Sequence, residues 1–110
     1  MFGGRKKGIP GEIDVSDLGF LTGSTEFARF WKEQGGKQTC IIDPRGLGAD
    51  PALFGMAMVD AMRHGAKAYA QAVNIPEDHA LARIWEGFDA ERENPTDTPR
   101  QIDPETGAIV

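Results

Sequence analysis

The chain has 110 residues, 12 Lys and Arg against 17 Asp and Glu, 40% hydrophobic residues, 14 Gly, 7 Pro and one Cys. This is one domain's worth of polypeptide, with no run near the roughly 20 apolar residues of a membrane helix and no apolar stretch after the basic start Arg5-Lys6-Lys7 to make an export signal. A single cysteine excludes an internal disulfide and an all-thiolate metal cage, as fits a reducing cytoplasm, and a net charge of -5 argues against a general nucleic-acid binder.

Residues 1 to 11 hold four glycines, a proline and three cations without periodicity, which reads as a disordered basic arm. Beyond it lie nine cations against all 17 anions. Residues 12 to 94 are expected to form a single domain. Glu12-Ile13-Asp14-Val15 alternates polar and apolar residues, the pattern of a short strand. Ser24 or Thr25 then offers a cap to a first helix over 24–34, with Glu26 near its positive end. Phe27, Phe30 and Trp31 fall at i, i+3 and i+4 along it, and Gly35-Gly36 supplies a left-handed stop. Lys37 to Asp43 reads as a strand, Thr39 and Ile41 pointing one way and Cys40 and Ile42 the other. Pro44 ends it, and a turn-rich loop follows over residues 44–50.

Asp50-Pro51 is the strongest helix start in the chain, a capping carboxylate followed by proline at the first helical position. The second helix is predicted over 51–73. Its polar residues Asp60, Arg63, His64, Lys67 and Gln71 draw one stripe. The remaining face divides into large side chains (Phe54, Met58, Met62, Tyr69, Val73) and small ones (Ala61, Gly65, Ala68, Ala72), the latter able to admit another backbone closely. Pro76 opens a third helix over 76–93, with Glu77 and Asp78 in its first turn. Leu81, Ile84, Trp85 and Phe88 form its apolar stripe, and Asn94-Pro95 closes it. The short connection Asn74-Ile75-Pro76 predicts that the last two helices form a hairpin. Residues 95–110 lack a core-facing pattern and read as a flexible tail.

Chemistry-bearing residues are sparse. Asp60 and His64, one turn apart, share a helix face and could hold a metal or a small ligand, although an exposed i,i+4 pair is the ordinary reading. His79 lies too far along a hairpin to join them. Cys40 has no adjacent cation and no helix N-terminus to activate it, so it reads as a buried inert thiol unless His64 approaches it. Gly46-Leu47-Gly48 stands between a strand and a helix, where phosphate turns occur. It lacks the third glycine of a dinucleotide turn and the Gly-Lys-Ser/Thr of a P-loop, and Asp50 puts an anion where phosphate would sit. No cofactor is indicated. Glu86, Asp89, Glu91 and Glu93 make an acidic end to the third helix, a solvated face or a surface for a basic protein partner.

The stretches Phe27 to Trp31, Ile42-Asp43-Pro44, Phe54-Gly55-Met56, Val59 to His64, Ala68-Tyr69-Ala70, Arg83 to Glu91 and Asn94-Pro95-Thr96, taken in order, resemble a family of short bacterial proteins built around a domain of unknown function. The resemblance covers about residues 24–97. It implies a small cytoplasmic bacterial protein and carries no established activity, so no catalytic residue follows from it.

The expected fold is therefore α+β and mainly helical, with three helices and one or two strands. Leu, Ile, Val and Phe amount to 23 residues, against 13 Ala, a thin supply of bulky core. A strand at 37–43 needs a partner, either 12–15 or its own copy in a second subunit. Both considerations favour a homodimer acting as a non-enzymatic interaction protein, without nucleic-acid or membrane partners. The alternative is a small-ligand or metal-binding protein using Asp60, His64 and Cys40 with the 44–50 loop.

Overall fold

In the computed structural model, residues 8–101, 105 and 106 are described. The chain divides into two units, Met1–Ala49 and Asp50–Val110. The first is built on a β-hairpin and the second on a helical hairpin.

Strand β1 (Ala28–Lys32) pairs antiparallel with strand β2 (Gln38–Ile42), in the register Ala28↔Ile42, Phe30↔Cys40 and Lys32↔Gln38. Glu33 donates to the Lys37 carbonyl at 2.7 Å and Gly36 to the Glu33 carbonyl at 3.1 Å, closing the turn. Gly35 and Gly36 carry φ of 92° and 94°, which a side chain would strain. The helix expected over 24–34 is thus replaced by a strand. Its window is short for a helix that must nucleate alone, aromatic residues suit a pleated surface, and the glycine pair serves as a hairpin turn instead of a helix stop. The neighbouring strand gains its partner at once. Pairing with 12–15 does not occur, because those residues form no strand. Ser16 there folds back on Asp14, its amide and hydroxyl donating to the Asp14 carboxylate at 2.9 and 2.6 Å.

Two single-turn 3₁₀ helices, Gly19–Leu21 and Pro44–Gly46, complete the first unit. The second is capped by Asp43, whose carboxylate accepts from the Arg45 amide at 3.1 Å. Of the basic arm expected over 1–11, residues 1–7 lie outside the described residues. The remainder enters a turn in which Glu12 donates to the Ile9 carbonyl.

Helix α1 (Ala52–Val73) starts as its sequence demands, with the Ala52 amide donating to the Asp50 carboxylate at 3.0 Å. Asn74 ends it with φ of 55°, a left-handed stop that asparagine tolerates. Helix α2 (Glu77–Glu93) follows, its first-turn carbonyl being that of Pro76, which accepts from Ala80 at 3.0 Å. The two pack as the predicted hairpin. Met58, Met62, Gly65 and Ala70 of α1 and Leu81, Ile84 and Trp85 of α2 are half-buried. The deepest positions are Ala66 and Ala80, 1% and 3% exposed. Trp85 meets Phe88 edge to face at 6.0 Å, and the Arg92 guanidinium lies over the Phe88 ring. Part of the large stripe expected on α1 stays outside, Tyr69 and Val73 being more than half exposed.

The architecture is α+β, with two long helices and a two-stranded antiparallel sheet. Among the described residues no helix is long and apolar enough to cross a membrane. Within the expected tail over 95–110, residues 102–104 and 107–110 lie outside the described residues. Its start is tethered, the Thr96 amide donating to the Glu91 carboxylate at 2.7 Å.

Candidate functional site

Alternation along the strands sorts the hairpin into two faces. Ala28, Phe30 and Lys32 share one with Gln38, Cys40 and Ile42, while Arg29 and Trp31 share the other with Thr39 and Ile41. Phe30, Ile41 and Ile42 are 50%, 59% and 44% exposed, so neither face is closed. Hydrogen bonding adds an edge. Asp43 donates to the Phe27 carbonyl at 2.8 Å and Glu33 to that of Lys37, which makes Phe27↔Asp43 and Glu33↔Lys37 hydrogen-bonded pairs. Antiparallel ladders alternate. Thr39 and Ile41 therefore turn their amides and carbonyls toward β1, and Gln38, Cys40 and Ile42 turn theirs outward. Among the described residues no hydrogen bond reaches those outward groups.

On the β1 side lies a cleft of about 990 Å³, lined by residues 8–16, Glu26 and residues 28–31. Arg29 organises its polar wall, donating through Nε to Glu26 at 2.7 Å and through Nη1 to Glu12 at 2.9 Å. The hydrogen bond from Arg29 holds the Glu26 carboxyl below its usual range, and the same contact keeps the guanidinium protonated still more firmly. Ile9, Ile13 and Val15, all largely exposed, supply the apolar wall. The Trp31 indole Nε1 is buried without a partner among the described residues.

The residues singled out from sequence fare differently. Asp60 and His64 do meet, Nε2 to Oδ2 at 3.4 Å, both three-quarters exposed. Among the described residues no group of three or more His, Cys, Asp or Glu side chains is placed to hold a metal. Cys40 is exposed, which corrects the expectation of a buried thiol: the sheet face it shares with Phe30 and Ile42 is open, both of those residues being exposed as well. Its sulfur accepts from Gln38 Nε2 at 3.2 Å. Cys40 belongs to the first unit and His64 to the second.

In the 44–50 loop Gly46 is explained by packing, since a Cβ there would come within 3.1 Å of Thr25 Cγ2. Arg45 closes on Asp43 with bonds of 2.9, 3.1 and 2.6 Å. Those bonds, with the Arg45 amide, hold the Asp43 carboxyl down to about 2. Of the acidic group on α2, Glu86 is taken by Arg83 and Glu91 by Thr96, leaving Asp89 and Glu93 without a partner among the described residues. Gly65 rests against Ile84 of α2, while Ala61, Ala68 and Ala72 are exposed.

The part of the chain that carries both hairpins, residues 21–96, matches the model of a family described as Domain of unknown function (DUF5076). The chain belongs to this family. The match begins three residues before, and ends one residue before, the stretch of about 24–97 over which a resemblance is read from sequence. No curated protein matches. Among solved structures, one from the photosynthetic bacterium Rhodopseudomonas palustrus CGA009, described as a "putative pyruvate dehydrogenase", is 30% identical. It aligns over 94% of this chain and 98% of its own, with a TM-score of 0.59.

Proposed function

We propose that this DUF5076 chain is a non-enzymatic, cytoplasmic interaction protein that works as a homodimer. The observation behind this reading is burial. Among the described residues only Ala66 and Ala80 are buried, while fourteen large apolar side chains remain exposed, from Ile9 and Ile13 through Phe30, Ile41 and Ile42 to Met56, Tyr69 and Phe88. Scattered apolar residues are normal on a surface, but this many beside so small an interior is the mark of an association surface. A further partner would be a protein with basic groups for Asp89 and Glu93, the two carboxylates of the α2 acidic end left unpaired among the described residues.

A dehydrogenase reading borrowed from the solved relative would need a cofactor to accept electrons. The contact of Asp60 with His64 supports a second reading, a two-donor site for a metal or small ligand.

Light scattering and sedimentation across about 1 to 100 µM decide the dimer, since association follows mass action. A dimer in that range supports the reading and a monomer throughout refutes it. Elemental analysis of the purified chain, with a thermal-shift screen of metals and nucleotides, addresses the second reading.

A further inference from the structure

We propose that the partner is a second copy of this chain, docked antiparallel on the outer edge of β2 with a two-fold axis at Cys40, so that two hairpins become one four-stranded sheet. The proposal rests on the dimer reading and names its interface.

The backbone sets the register. The outward groups of β2 belong to Gln38, Cys40 and Ile42, a triplet symmetric about its middle member. An axis at Cys40 sets Cys40 opposite Cys40 of the partner subunit and Gln38 opposite the partner's Ile42, twice by symmetry. Each is a hydrogen-bonded pair exchanging two bonds, so all six outward groups are used on each strand. Moving the axis to Thr39 or Ile41 leaves only two such pairs within β2, and in the latter case Gln38 would face the partner's Pro44, which has no amide hydrogen.

Charge fits the same axis, although Arg45 already holds the Asp43 carboxylate within the chain. With the axis at Cys40, Lys37 stands opposite the partner's Asp43, and Asp43 opposite the partner's Lys37. Between these charges Gln38 to Ile42 carry none, in a chain that is 26% charged. Exposed edges are ordinarily protected by an inward charge, a proline or a bulge. β2 has none of these between its flanking charges. An isolated two-stranded hairpin is also marginal, and further strands are one of the two ways, with packing against a helix, to make it stable. On one face the row Phe30–Cys40 continues into the partner's Cys40 and the partner's Phe30, with Ile42 beside the partner's Gln38. The β1 side is flanked instead by residues 8–16, which Glu12 ties to Arg29 at 2.9 Å.

The test uses the full chain, whose single cysteine makes cross-linking report one distance. Paired residues in this register have Cα atoms about 5.5 Å apart, so a short bis-maleimide is expected to convert the dimer to a covalent species through the two Cys40 thiols. Charge exchange is the second arm. Lys37→Asp alone and Asp43→Lys alone each set like charges across both ends of the interface and are expected to weaken the homodimer about tenfold. An equimolar mixture of the two variants restores both attractions and is expected to regain dimer. That rescue excludes misfolding as the cause of the single losses. If the wild type is dimeric but Cys40 does not cross-link and the mixture stays dissociated, the β2 edge is refuted while the dimer stands. A monomeric wild type up to about 100 µM overturns both.

Discussion

Gly65→Ala separates two meanings of the small residues on α1. If Ala61, Gly65, Ala68 and Ala72 are small so that another backbone can cross there, any added atom at residue 65 is a collision. The structure predicts otherwise: a Cβ on Gly65 would lie 3.8 Å from Ile84 Cδ1, an ordinary van der Waals contact. Glycine inside a helix costs about 1 kcal/mol relative to alanine, mostly through backbone entropy, so the variant is expected to gain about 1 kcal/mol. For a chain of this size that is a rise in Tm of about 4 to 6 °C. Gly55→Ala and Gly87→Ala are the references, since a Cβ at either has nothing within 4 Å among the described residues, and each is expected to give a similar or slightly smaller gain from the backbone alone. Thermal and urea denaturation at one fixed protein concentration measure all three. Stabilisation at Gly55 and Gly87 with a loss at Gly65 would refute the argument, and would show that something passes closer to Gly65 than Ile84 does.

Gly36→Ala places a side chain at φ of 94° and is expected to destabilise the first unit by about 1 to 2 kcal/mol, read from Trp31 fluorescence during denaturation in a Trp85→Phe background that removes the second tryptophan. Arg45→Ala is expected to raise the Asp43 carboxyl from about 2 toward the ordinary aspartate range, followed by carboxyl NMR titration. Because that pKa is lowered in the folded state, its contribution to stability is present above the unfolded aspartate pKa and is lost as pH falls through about 2. Ala66→Leu or Ala80→Leu overfills the deepest points of the helical hairpin and is expected to cost about 1 to 3 kcal/mol. His64→Ala is expected to change stability by less than about 0.5 kcal/mol, its Asp60 contact being exposed; loss of a metal detected in the wild type would favour the ligand reading instead.

Legibility in the sequence followed the strength of local signals. Asp50-Pro51, Asn74 and Pro76 each constrain the backbone by themselves, and the helices begin and end where they stand. Phe27, Phe30 and Trp31 were ambiguous, because three aromatics at i, i+3 and i+4 mark a helix only if the window is helical. In a strand, Phe27 and Trp31 share a face and Phe30 takes the other. The deciding fact was non-local: β2 needed a ladder partner, and Gly35-Gly36 could turn the chain to supply one. The polar site residues were legible in their spacing, as Asp60 and His64 show, whereas the exposure of Cys40 depended on whether its face of the sheet was covered. The cleft beside Arg29 was not legible, since Glu12, Glu26 and Arg29 meet only once the N-terminal segment lies along β1.

The case for a second subunit survives the loss of its first premise. A strand at 37–43 without a partner was one sequence argument for a dimer, and β1 satisfies it within the chain. Pairing on one side uses half of the strand's backbone groups, however, and leaves those of Gln38, Cys40 and Ile42 facing outward. The demand has moved from the whole strand to its outer edge, and that edge is self-complementary in both hydrogen bonding and charge. The thin core supplies the energetic reason. Alanines as the only buried residues among those described contribute little apolar area each, so setting the exposed Ile41 and Ile42 of β2 beside the partner's Thr39 and the partner's Gln38 would add side-chain contact that the described interior lacks. The concentration of the chain, as well as its sequence, then sets how stable it is.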